Sequence, residues 1–169
     1  TVLDDPRTQI SLADQLLAYQ ARVELLGMME SAVESVEHIV QARADVDTVI
    51  KLIEKQPGAQ DDETLKALTG QAKDVQKGLD TLENRFRTPP QTKGITYGDD
   101  KIVSLIGTAS YYLAGSDQAP TPTAEIYAEK ARTALDQGVT ELDRFLTEDL
   151  AAFSQAVSAA GIGLFQSTG

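Results

Sequence analysis

The feature that most constrains the fold is the run Ser11–Gln56, which contains no proline and a single glycine, Gly27. Apolar residues recur within it at alternating steps of three and four, the spacing of one face of an α-helix. At ~1.5 Å per residue one helix of this extent reaches ~65 Å, and it needs companions to bury its stripe. The phase of the stripe shifts near Met29 and again near Ile39, which predicts a kink or a gradual supercoil. The predicted inward residues are Leu12, Leu16, Tyr19, Val23, Leu26, Val33, Val36, Val40, Val46, Val49 and Ile53.

Both ends of this first helix carry boundary signals. Ser11 is a favourable N-cap, and Asp14 three residues later completes a capping-box-like pattern. The triplet Gln56-Pro57-Gly58 ends the helix, because proline cannot continue it and glycine suits a left-handed cap. Residues 1–10 are expected to be extended, since Asp5 precedes Pro6 and the residue before a proline is disfavoured in a helix.

The second predicted helix begins at Asp61 or Asp62 and ends before Thr88-Pro89-Pro90. Its apolar residues follow strict three-four spacing, which is the pattern of a coiled-coil-like seam. The predicted seam consists of Leu65, Leu68, Ala72, Val75, Leu79, Leu82 and Phe86.

Two more helices complete the chain. The third is predicted over 99–114, closed by Gly115, with Ile102, Leu105, Ile106, Ala109 and Leu113 facing inward. The fourth opens at Thr121-Pro122, a cap residue followed by proline in the first turn, and runs to about Ala160, before Gly161. Its predicted inward residues are Tyr127, Ala131, Leu135, Val139, Leu142, Leu146, Phe153 and Val157. After the helix, Ile162, Leu164 and Phe165 are expected to fold back on the bundle.

Short connections favour antiparallel neighbours, so these elements predict an all-α fold: an up-down four-helix bundle with long first and last helices. The 169 residues suffice for one domain with a sizeable core, assigned to 11–169, with 1–10 as an extended tail. The absence of tryptophan and the 5% aromatic content suit helical packing better than a β-sandwich.

Charge and composition exclude several classes of partner. The formal charge of −11 argues against nucleic acid and anionic membranes, which both need clustered Lys and Arg. No apolar stretch approaches the ~18 residues of a membrane span. The chain has no cysteine, so disulfides, thiolate metal sites and cysteine nucleophiles are excluded.

No group of residues qualifies as a catalytic, cofactor or metal site. His38 is the only histidine, and a di-iron bundle needs a Glu-x-x-His motif on each of two helices. We therefore interpret His38 as a helix-surface residue. Glu30, Glu34 and Glu37 are suited at most to weak binding of a divalent cation, because no rigid oxygen cage is evident.

The best aromatic concentration is Tyr111-Tyr112, with Tyr97 upstream. One tyrosine of the adjacent pair is expected to point inward and the other towards the surface. Together with Pro89 and Pro90 at the start of the intervening loop, these residues form a candidate interaction surface. The alternative is ordinary packing of the tyrosines at the edge of the core.

Several stretches together resemble a known family: Asp5-Pro6-Arg7, Leu12-Ala13-Asp14-Gln15, the segment Ala119–Tyr127, and Leu142-x-x-Phe145-Leu146 continuing to Asp149-Leu150-Ala151-Ala152-Phe153. Their order is similar to the C-terminal helical domain of a family of large secreted bacterial proteins, the glycosyl hydrolase-like proteins with Asp-box (BNR) repeats, which are also described as sortilin-like β-propellers. The sequence departs from the family pattern at the loop 89–98, and the Asp-box itself is absent from this chain.

This resemblance implies a setting. A propeller and a small β-sandwich would precede this segment, Thr1-Val2-Leu3 would be the end of a sandwich strand, and any glycosidase chemistry would reside in the propeller. The implied function is a non-catalytic, secreted or periplasmic helical domain that packs on those domains or self-associates. The alternative hypothesis is a free-standing helical adaptor with an acidic surface.

Overall fold

The computed structural model describes residues 10–57, 61–90, 98–115 and 117–162. These residues form helices and turns without a strand, so the all-α prediction is confirmed for them. The helices are α1 (Leu12–Glu54), α2 (Glu63–Phe86), α3 (Ile102–Leu113), α4 (Pro122–Phe145) and α5 (Ala151–Ala159), and a π-helical turn (Leu146–Leu150) joins the last two.

Capping side chains start three of the helices. Ser11, Asp62 and Thr121 each accept a hydrogen bond from a backbone N–H in the first turn of α1, α2 and α4. Gly115 and Gly161 follow α3 and α5 with φ of +88° and +70°, a conformation that glycine adopts without a steric penalty. The predicted boundaries at these five positions are confirmed.

Helix α2 lies antiparallel along the C-terminal half of α1. Arg43 donates to Asp80 at 2.6 Å, and Gln76 donates to Asp47 at 2.5 Å, so numbers rise along α1 as they fall along α2. All seven predicted seam residues are buried: Leu65, Leu68, Ala72, Val75, Leu79, Leu82 and Phe86. The seam prediction is confirmed in full.

Helix α3 packs along the N-terminal half of α1, and the five residues of α3 that were predicted to face inward are all buried. Its start, Ile102, lies beside Phe86 at the end of α2. Its end, Leu113, shares a hollow with Leu17 and Ala21 near the start of α1. Helix α3 therefore also runs opposite to α1, and the alternating up-down order is not confirmed. At about 36 Å, α2 covers only part of the roughly 64 Å of α1, and α3 covers the remainder.

The last helical segment runs parallel to α1. Arg132 of α4 pairs with Glu24, and further along Glu141 pairs with Arg85 of α2. Of its predicted inward residues, Ala131, Leu135, Leu142, Phe153 and Val157 are buried, and Tyr127, Val139 and Leu146 are half-buried.

The π-helical turn is a feature that the sequence did not predict. Phe145 and Phe153 are eight residues apart, which in a regular α-helix would place them about 80° apart. A π-helical turn accommodates one extra residue, which brings both rings back to the same face. Both phenylalanines are buried in the core.

The predicted inward face of α1 is wrong over its first two thirds. Of that set only Val36, Val46 and Ile53 are buried, and Val49 is half-buried. The residues that α1 buries instead are mostly small or flexible: Ala18, Leu25, Met28, Ala32, Ser35, Ile39 and Ala42. Helix α1 contacts α2, α3 and α4, and small side chains on α1 let these helices approach it closely. The inward face of α1 is therefore the one that packs closely, and not the one with the larger apolar side chains.

Several predictions concern residues outside the described ranges. These are the extended conformation of residues 1–9, the helix cap at Gly58, and the return of Leu164 and Phe165 onto the bundle.

Candidate functional site

The most prominent surface feature is an exposed apolar row on α1, here called the outer stripe. It consists of Leu12, Leu16, Tyr19, Val23, Leu26, Val33 and Val40, whose exposed fractions lie between 44% and 70%. Leu16 and the buried Leu25 are nine residues apart, which places them about 180° apart around the helix. The same holds for Val23 and the buried Ala32. From Leu12 to Leu26 the outer stripe thus lies on the side of α1 away from the core, whereas Val33 and Val40 lie at the edge of the core, within about 60° of the buried Val36.

The apolar area of the outer stripe is at the upper end of the range found on monomeric proteins. From these exposed fractions, its seven side chains present about 600 Å² of mainly apolar surface, whereas the largest apolar patch on a typical monomer measures about 300–600 Å² and is often functional. These seven residues were predicted to face the core, and that prediction is wrong for each of them.

Charge is distributed unevenly along the outer stripe. Near its start, Arg22 pairs with Asp117 at 3.2 Å, and Glu24 pairs with Arg132. Further along, Glu30 and Glu37 continue the seven-residue spacing of Leu16 and Val23, so two acidic residues stand where that spacing would place apolar ones. Glu34 lies between them in the sequence. None of these three carboxylates forms an ion pair with another described residue.

Two sequence candidates for metal or acid–base chemistry lie on the exposed surface of α1. His38 is exposed, which confirms its predicted surface position, and Glu30, Glu34 and Glu37 are exposed as well. Across the described ranges, no three metal-ligating side chains gather into a group that would hold an ion.

The structure places both adjacent tyrosines on the surface. Tyr111 and Tyr112 are 77% and 43% exposed, so the expectation that one of them points inward is wrong. The inward face of α3 is filled by Ala109 and Leu113, which leaves both tyrosines outside the core. The ring of Tyr112 instead stacks on Tyr127 of α4, with centroids 4.6 Å apart and planes 10° apart.

We refer to Tyr111, Tyr112 and Tyr127 as the tyrosine cluster. Tyr111 meets Tyr112 edge-on with centroids 5.7 Å apart, and the neighbouring phenol of Tyr127 raises the pKa of Tyr112. Ile126, 67% exposed, precedes Tyr127 in the sequence. Tyr127 was predicted to face the core, but it is half-buried. The short link between α3 and α4 brings its ring beside Tyr112 at the end of α3.

The structure separates the two prolines from the tyrosine cluster. Pro89 and Pro90 line a hollow of about 410 Å³ near the middle of α1, together with Val40 and Arg43. The tyrosines lie at the far end of α3, and Tyr97 is outside the described residues. The predicted single interaction surface is therefore not one continuous surface.

A charged cluster forms the wall of this hollow. Glu83, only 2% exposed, accepts hydrogen bonds from Arg43 at 2.5 Å and from Arg87 at 2.7 and 3.0 Å. Burial by itself would raise the pKa of Glu83, but the hydrogen bonds and charges of Arg43 and Arg87 outweigh it and leave the pKa below its ordinary value. Because Arg43 belongs to α1 and Glu83 to α2, this cluster joins the two helices.

Comparison with known proteins adds no family to this picture. No protein-family model matches the chain, and no curated protein or solved structure is similar to it. Among the described helices, none is both long and apolar enough to cross a membrane.

Proposed function

We propose that this chain is a helical protein-interaction domain and that the outer stripe is its docking surface. The observation that carries the proposal is the row of exposed apolar side chains on α1. Their three-four spacing is the one that a second helix recognises in coiled-coil packing. Exposing such a row to water is unfavourable, so a partner that covers it gains the hydrophobic contribution.

The sequence resemblance supports a setting for this interaction. In it the chain is the non-catalytic C-terminal helical domain of a secreted or periplasmic propeller protein, packed on the propeller or the β-sandwich of its own parent. Glycosidase assays of this chain with aryl-glycosides and sialosides should then show no turnover. Turnover that disappeared when a pair of adjacent acidic residues, such as Glu148 and Asp149, was replaced would contradict this part of the proposal.

A second candidate is a free-standing helical adaptor that presents an acidic surface. It is favoured by the net charge of −11 and by Glu30, Glu34 and Glu37, which lie beside the outer stripe without an ion-pair partner among the described residues. Such a surface would select a partner that combines apolar and basic side chains. The tyrosine cluster, as an exposed aromatic group, is a further contact point in either setting.

The proposal is tested by photo-crosslinking in the cells that produce the natural protein. A photo-reactive amino acid at Leu16 of the outer stripe is compared with one at Lys73, an exposed position on α2. We expect crosslinks to polypeptide from position 16 and none above background from position 73. Equal crosslinking at the two positions would contradict the proposal. A product of twice the mass identifies a second copy, and another increase in mass identifies another protein. A crosslink to the parent chain itself leaves the mass unchanged and is identified by mass spectrometry of the joined peptides.

A further inference from the structure

We infer that the occupant of the outer stripe is a second copy of this chain, with the two α1 helices packed antiparallel. This inference rests on the proposed function, because it identifies the partner of the same surface. Antiparallel pairing of one helix with its own copy has two-fold symmetry, so the interface is isologous and closes as a dimer.

The seven-residue repeat of the outer stripe defines two rows of facing positions. Leu16, Val23, Glu30 and Glu37 form one row, and Leu12, Tyr19, Leu26, Val33 and Val40 form the other. In coiled-coil packing, a helix with this pattern buries its two rows against another helix that has a matching repeat. Helix α1 has such a repeat over an exposed length of about 42 Å, from Leu12 to Val40.

The two glutamates decide the relative direction of the helices. In a parallel pair each residue faces its own copy, so Glu30 would meet Glu30, and Glu37 would meet Glu37, inside the seam. Like charges at such positions are unfavourable. An antiparallel pair places one row against the other and avoids both encounters.

One antiparallel register satisfies the apolar residues. In this register the two-fold axis passes at the level of Ala21 of both copies. Leu16 then faces Leu26 of the other copy, and Tyr19 faces Val23. Glu30 then lies against Leu12 in the first turn of the facing helix, where the helix dipole favours a negative charge. The register therefore gives four apolar layers bounded by two acidic ones.

The available area reaches the lower limit for a specific dimer, which is about 1,000 Å² buried in total over the two copies. A standard interface buries about 800 Å² per partner, and the stripe residues within this register expose about 500 Å². The flanking side chains, which include Gln15, Gln20 and Met29, supply the remainder at the rim.

The net charge of −11 opposes association of two copies at long range. Within residues 12–26, however, the only charged side chains are Asp14, Arg22 and Glu24. Arg22 is already in an ion pair with Asp117 of the link before α4, and Glu24 with Arg132 of α4. Salt screens the long-range repulsion, with a Debye length of about 8 Å at 0.15 M and about 3 Å at 1 M. The dimer should therefore strengthen with added salt, whereas a complex with a basic partner would weaken.

Sedimentation velocity over a range from about 1 to about 200 µM tests the inference. We expect the wild-type chain to form dimers, and the substitutions Leu16→Glu and Val23→Glu to weaken association at least about 100-fold. The matched control is Ile126→Glu, which makes the same change of charge at an exposed apolar residue of α4. It should leave the dimer intact. All three side chains are exposed, so each variant is expected to fold. The helical circular dichroism signal of each variant verifies this.

A monomeric wild-type chain at about 200 µM in 0.5 M salt would overturn the inference. A dimer that persists in Val23→Glu, or one that Ile126→Glu disrupts equally, would overturn it too. If the chain is monomeric while position 16 crosslinks to another polypeptide, only self-pairing is wrong. If position 16 also captures nothing, the proposed function is wrong as well.

Discussion

Two adjacent leucines of α1 provide a direct test of which face of this helix points inward. Leu25 is 4% exposed, whereas Leu26 is 59% exposed, and the two differ by about 100° around the helix. The sequence pattern alone predicts the opposite assignment, with Leu26 inside. Substituting each by alanine keeps a strong helix former and removes the same atoms, so only the environments differ.

The structure sets the size of the expected difference. Leu25 belongs to the main hydrophobic core, and truncation of a buried leucine costs about 2–5 kcal/mol of unfolding free energy. Leu26→Ala removes a side chain that is largely in water, and such surface changes lie within about 0.5 kcal/mol. For a chain of this length, about 3 kcal/mol corresponds to a fall in Tm of about 6–12 °C.

Urea denaturation followed by circular dichroism measures both variants. Both variants are made in a chain that also carries Leu16→Glu and is expected to be monomeric. Dimer formation then does not contribute to the measured effect of Leu26→Ala on the unfolding free energy. We expect a large loss for Leu25→Ala and almost none for Leu26→Ala. Equal losses, or a greater loss at Leu26, would refute the orientation of α1 and with it the outer stripe.

Three further predictions concern the interior and the helix ends. In urea denaturation, Gly138→Ala should lower the unfolding free energy by up to about 2 kcal/mol, because the new Cβ would lie 2.5 Å from Ile102 Cδ1. Gly70→Ala is the matched control: its Cβ meets no atom within 4 Å, so the substitution should raise the unfolding free energy by up to about 1 kcal/mol. Glu83→Gln should cost about 2 kcal/mol at pH 7. Because folding lowers the pKa of Glu83 from 4.5, this difference from wild type should be full above pH 4.5 and narrow as the pH falls below it, in denaturation curves collected at several pH values. Asp62→Ala removes hydrogen bonds to two backbone N–H groups at the start of α2 and should lower unfolding free energy by about 1 kcal/mol, measured in the same way.

The sequence was sufficient to predict the helices that have a single apolar face. In α2, every position of the repeat from Leu65 to Phe86 is buried, and the opposite face is polar, so periodicity alone identifies the core side. The capping residues Ser11, Asp62 and Thr121 act locally, within one turn, and their positions were therefore predictable as well.

Helix α1 was misread because it has two apolar faces. The larger side chains, such as Leu16 and Tyr19, are in the outer stripe, while Ala18 and Ala32 lie in tight contact with the core. Periodicity detects both rows but does not rank them. The choice depends on which row allows close approach of the other helices, and that is a property of the assembled fold.

The candidate surfaces were predictable to different degrees. Tyr111 and Tyr112 stand out in the sequence, but their neighbour Tyr127 is brought to them only by the turn between α3 and α4. The three-four spacing of the outer stripe was visible in the sequence. A second apolar row, which includes Leu25 and Ile39, was also visible, and the presence of two rows on one helix indicated that one of them would be left exposed.

The antiparallel pairing of α1 is tested most directly by a distance between two copies. The chain has no cysteine, so a single cysteine introduced at Gln20 or Gln41 carries a unique spin label. Both positions are exposed on α1. With Ala21 at the centre of the pair, the labels at Gln20 should lie within about 20 Å of each other, and those at Gln41 about 60 Å apart. A short distance at both positions would show parallel pairing, and the absence of any intermolecular distance would contradict the pairing altogether.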